Sequence, residues 1–159
     1  MKRVLAAVLM MTGTLAYAED NVMLKHAKQN GVERCLPAVE RISNFIADGP
    51  HGANSTWNSD WPDKSAFNSV IERTYTDGVM LSSVTVANVE SGQCYTEYEK
   101  IFYMEGSCLG AAASFEGAKY NGELNEKVHY LDHNDVDLYL MPAGSGCIVV
   151  RREILMNLE

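Results

Sequence analysis

The chain lacks three things that would settle its class at once. It has no long apolar run: the stretch Val4 to Leu15, broken by Thr12, Gly13 and Thr14, falls well short of the ~20 residues that cross a bilayer. It has no pair of cysteines at the close C-x-x-C spacing of structural zinc sites. It is also poor in positive charge, with 13 Lys and Arg against 21 Asp and Glu. That balance argues against nucleic acid or an anionic membrane surface as a partner. No glycine-rich phosphate loop and no dinucleotide fingerprint occurs, and no internal repeat is visible.

What is there begins with an export signal. Lys2 and Arg3 form a positive start, Val4 to Leu15 an apolar centre, and Ala16-Tyr17-Ala18 offers small residues at both positions that a signal peptidase inspects. No cysteine follows closely enough for a lipid anchor. Residues 1–18 are therefore expected to be a cleavable signal peptide and residues 19–159 a single domain in the periplasm or outside the cell. Removing 18 of 159 residues leaves 141, and removing Lys2 and Arg3 leaves 11 cations against 21 acids, a net charge of −10. Such a field draws in a basic protein or a cationic ligand, although it also serves simply to keep an exported chain in solution.

Four cysteines, Cys35, Cys94, Cys108 and Cys147, are an even number in an exported chain, which predicts two disulfides. A strand over 94–104 would place Cys94 and Cys108 roughly 30 Å apart, beyond the ~7 Å that a disulfide tolerates. In an antiparallel meander the end of that strand meets the start of the last one. The favoured pairing is therefore Cys35–Cys94 and Cys108–Cys147.

The pattern along the mature chain predicts a helix over Glu19–Asn30 and a second from Cys35 to Ile46, stopped by Asp48-Gly49-Pro50. A polar loop over 49–63 follows. Phe67, Val70, Ile71 and Tyr75, at i, i+3, i+4 and i+8, predict another helix. Strands are expected at Val79–Glu90 and Cys94–Met104 (a hairpin), Lys127–Leu131 and Val136–Met141 (around Asp132-His133-Asn134-Asp135), and Cys147–Leu155. The Ala- and Gly-rich stretch 108–118 reads as a short helix or crossover. Together these predict an α+β fold, with N-terminal helices packed on one face of a mainly antiparallel sheet of about five strands.

Catalytic patterns are weak. His129 and His133 stand four apart, a metal-holding spacing on a helix, but strand texture around them sets them ~13 Å apart. Asp132 to Asp137 lacks the glycine and closing glutamate of a calcium loop. Gly144-Ser145-Gly146 lacks the strand-to-helix frame of a nucleophile elbow. No cofactor, metal or catalytic residue is predicted, and a hydrolase survives only as carboxylates that the sequence cannot place across a cleft.

Two surfaces remain as binding candidates. The loop carrying Trp57, Asn58, Asp60 and Trp61 has the rings and polar groups to stack and hydrogen-bond a sugar, or to anchor a protein, unless its tryptophans fold back over the core. On the strand from Cys94, alternation puts Tyr95, Glu97, Glu99 and Tyr103 on one face, although a half-buried sheet ordinarily turns such a face to solvent. The sequence thus predicts a non-enzymatic exported binding protein, of inhibitor or immunity type, directed at a basic secreted or envelope enzyme. Its rivals are an envelope-glycan (peptidoglycan) module built on Trp57 and Trp61, and a hydrolase.

Overall fold

The computed structural model describes residues 21–89 and 92–156; the predicted signal peptide lies outside the described residues. The chain runs α1 (Val22–Gln29), α2 (Leu36–Ile46), β1 (Gly52–Thr56), β2 (Phe67–Tyr75), β3 (Gly78–Asn88), β4 (Cys94–Glu105), α3 (Cys108–Ala113), β5 (Lys119–Leu124), β6 (Val128–His133), β7 (Val136–Ala143) and β8 (Gly146–Met156). An α+β fold with a largely antiparallel sheet and two disulfides is what forms, but the sheet has eight strands rather than about five.

Local chemistry accounts for the helices. Asn21 caps α1, its side-chain oxygen accepting from the Leu24 amide at 3.0 Å, while its Nδ2 donates to Ser43 Oγ on α2 at 2.8 Å. Pro37 sits in the first turn of α2, where no amide hydrogen is required. Ser107 caps α3 by accepting from the Gly110 amide at 3.1 Å.

The segment predicted as a helix from Phe67 to Tyr75 is a strand. Its residues satisfy a period of two as well as a period near four. Phe67, Ser69 and Ile71 are buried, while Asn68, Val70 and Glu72 face outward, with Val70 43 % exposed. A buried serine had disguised the alternation, and the ladders to β1 on one side and to the Val- and Thr-bearing β3 on the other decide between the two readings. The other strands missed by the sequence, β1 (GANST) within the expected loop and β5 (KYNGEL), are the two edges of the sheet. Their side chains are mostly exposed, so no apolar pattern marks them.

The strand order is β1-β2-β3-β4-β8-β7-β6-β5, antiparallel throughout. It reads as one unit used twice: a helix, then a four-strand meander, with the last strands of the two units, β4 and β8, side by side. The disulfides repeat with it. Cys35, the residue before α2, joins Cys94 at the start of β4; Cys108, the first residue of α3, joins Cys147 near the start of β8. No sequence repeat announces this duplication. Each half has its own core on the same side of the sheet, one built on Met23, Val39, Ile42, Ile46, Phe67 and Ile71, the other on Ala111, Leu131, Leu138, Leu140 and Val149.

Candidate functional site: the uncovered face of the sheet

Since α1, α2 and α3 all pack on one face, the alternate residues of every strand point to the other, which no helix among the described residues covers. Register assigns its occupants. One row crosses the sheet as Ser83, Glu99, Arg152, Asp137, Asp132 and Lys119. The next, one pleat toward the β2–β3 and β7–β8 turns, is Leu81, Ile101, Val150, Tyr139 and Tyr130. Beyond it lie Val79, Tyr103, Ile148 and Met141, with Val128 and Leu124 on β6 and β5. A charged row and an apolar band thus run side by side across the strands, with Ile154 and Met156, half-exposed on β8, on the far side of the charged row.

The charged band is internally organised. Tyr95 donates to Glu97 Oε2 at 2.6 Å, and Arg152 Nε donates to Glu97 Oε1 at 2.5 Å. The Tyr95 hydroxyl first, and then the Arg152 guanidinium, hold the Glu97 carboxyl below its ordinary pKa; the same bond raises that of Tyr95. On the other side of Arg152, Asp137 accepts from Tyr130 at 2.8 Å and from Tyr139 at 3.4 Å, and the two tyrosine rings stack with centroids 5.3 Å apart. Among the described residues Glu99 has no hydrogen-bond or ion-pair partner, although it lies opposite Arg152 in the register. Glu99 and Arg152 also stand at the centre of the duplication, each five residues past its half's cysteine, Cys94 or Cys147.

Of the residues singled out by sequence, Tyr95, Glu97, Glu99 and Tyr103 share this face, and the first two are joined by a hydrogen bond. Tyr103 is 51 % exposed and lies flat over Gly146, where an added Cβ would come within 2.1 Å of its hydroxyl. The tryptophan loop lies elsewhere, beside the α1–α2 turn, where Asp63 accepts from the amides of Glu33 and Arg34. Trp57 packs against the first core, so the two rings form no joint platform; Trp61 is 55 % exposed with Lys64 Nζ 4.9 Å from its ring centroid. Asn58 uses its side-chain oxygen on the Asp60 amide at 3.0 Å, and Asp60 is exposed.

Sequence reasoning missed Tyr130, Asp137, Tyr139 and Arg152. The first three were within reach: a two-residue turn at Asn134-Asp135, both with positive φ (54° and 64°), fixes Tyr130 opposite Tyr139 and Asp132 opposite Asp137. Arg152 needed the β4–β8 seam, which nothing local specifies.

The opposite face carries a second charged group where the two halves meet. Tyr98 donates a short hydrogen bond to Glu153, and Arg151 lies 3.8 Å from the same carboxylate. Burial, followed by that bond, raises the Tyr98 pKa. Lys100 Nζ sits 4.0 Å from the centroid of the Phe45 ring, and burial lowers its pKa, helped by Arg151 and Arg73. Among the described residues no cluster of three or more His, Cys, Asp or Glu side chains is placed to hold a metal, and no helix is long and apolar enough to cross a membrane. Comparison with family models, with curated proteins and with solved structures finds no match to this chain.

Proposed function

We propose that this is an exported protein that works by binding, and that it docks a basic protein on the uncovered face of its sheet, in the manner of an inhibitor or immunity protein of a secreted or envelope enzyme. The observation that carries the reading is the apolar band. Val79, Leu81, Tyr103 and Met141 are each 41–55 % exposed on one continuous surface, where an antiparallel sheet facing only water would carry polar chains. Charge supplies the partner's sign. Glu72, Glu97, Glu99, Glu105, Asp132 and Asp137 point from this face, against Arg152 and Lys119. Two disulfides suit an oxidising compartment.

The test is capture of a basic protein from envelope extract by the mature chain, read against salt and against single substitutions. Leu81→Asp and Met141→Asp are expected to weaken capture at least tenfold with an unchanged circular dichroism spectrum. Leu109→Asp on the helix face, at a residue 69 % exposed, should leave capture intact. Capture that is insensitive to both sheet-face substitutions, or that does not weaken as salt rises, refutes the reading.

A further inference from the structure

The shape of the apolar band narrows the partner further, on the strength of the docking reading above. The band crosses the strands instead of following one. From Val79 on β3 to Leu124 on β5 it spans five strand spacings, or ~24 Å at ~4.8 Å each. The six strands beneath it, apart from the edge strand β5, have hydrogen-bonded neighbours on both sides, so an extended peptide laid on this face gains no backbone ladder. An element that brings its own hydrogen bonds and a continuous apolar stripe is a helix, and ~24 Å corresponds to ~16 residues at 1.5 Å each.

The border of the band is also unequal on its two sides. Along one long edge runs the charged row, with the unpartnered Glu99 near its middle and Asp137 and Asp132 beyond Arg152. The other edge ends in hairpin turns, and Glu105 is the one strand carboxylate there among the described residues. We infer that the face receives an amphipathic helix of four to five turns, its apolar stripe on Leu81, Ile101, Val150 and Tyr139 and a lysine- or arginine-bearing flank over the acidic row. Glu99 is the carboxylate left open for one of those cations, since Glu97 and Asp137 are already engaged by Arg152 and by the two tyrosines.

A defined probe tests this without the natural partner: an 18-residue peptide with leucines at i, i+3, i+4 and i+7 and lysines on the flanks, fluorescently labelled and titrated with the mature protein. Saturable binding with a rise in peptide helicity is expected, at least tenfold tighter than for a scrambled peptide of the same composition or for a leucine–glutamate version. Leu81→Asp should weaken it at least tenfold, and Glu99→Gln about threefold with a shallower salt dependence. Equal binding of patterned and scrambled peptides, or indifference to Leu81→Asp, overturns the inference. So does a chain that sediments as a dimer dissociated by Leu81→Asp, because a second copy then occupies the band. If a basic envelope protein is captured and lost with Leu81→Asp while the patterned peptide neither binds nor competes, the helix inference falls and the docking reading stands.

Discussion

The two halves of this sheet share a plan and differ in how they are filled. The first has two helices, strands of up to 12 residues, and 14 buried residues in its core. The second has a six-residue helix, strands of six, six, eight and 11 residues, and eight buried residues. In the first, only one end of the disulfide belongs to the core, Cys35 being 4 % exposed and Cys94 half-buried; in the second, Cys108 and Cys147 are 5 % and 0 % exposed and both are part of the core. The same staple therefore does different work. Where side chains fill the space it locks one corner; where they do not, it is part of the filling.

The largest expected effect follows from that contrast. Loop lengths of 59 and 39 residues differ little in closure entropy, which makes each disulfide worth ~4 kcal/mol on chain statistics alone. Replacing Cys108 and Cys147 by serine also buries two hydroxyls in a small apolar cluster, against one at Cys35, so its cost should exceed that of the Cys35/Cys94 pair by ~1–2 kcal/mol in urea unfolding. Equal losses would break the comparison. Next come the helices. Ile42→Ala removes a large buried side chain of α2 and should cost ~2–4 kcal/mol. Ala111→Gly, in the helix whose buried residues are Cys108 and Ala111, should cost ~1 kcal/mol.

Smaller effects probe the seam. Gly146→Ala drives a methyl group into the Tyr103 ring, which is half-exposed and can swing aside, so no more than ~1 kcal/mol is expected, relieved when Tyr103→Ala is made in the same chain. The smallest effect is electrostatic. The folded pKa of Glu97 lies below its ordinary 4.5, so its contribution is complete above that pH and is lost as the pH falls through the folded value. Glu97→Gln should leave a shallower decline of stability in acid than the unaltered chain shows, measured by thermal unfolding between pH 7 and pH 3.

These features were unequally legible in the sequence. Alternation along Cys94–Glu105 sorted Tyr95, Glu97, Glu99 and Tyr103 from Tyr98 and Phe102, because strand geometry alone decides it. The pairing of β3 with β4 and of β6 with β7 was readable from strand texture on either side of polar, turn-forming residues. Phe67–Tyr75 was not, because one buried serine made two periods fit. The edge strands carry no pattern, since they are held by backbone bonds to a single neighbour. The duplication stayed hidden because the halves share connectivity and not residue types. The pairing of Arg152 with Glu97 stayed hidden with it, being made by strands 55 residues apart.

The mirror-like strand order has a last consequence, for colloidal behaviour. A chain that leaves an apolar band uncovered invites stacking at any open sheet margin as well, and this sheet has only two margins, one contributed by each half. β1 is five residues long and carries no large apolar side chain. β5 is broken by a shift of register between Tyr120 and Gly122, the latter at φ 120°, where a side chain would be strained. Both margins are thus poor templates for a further strand, which restricts self-association in fibrous form and leaves the broad face as the surface on which encounters take place.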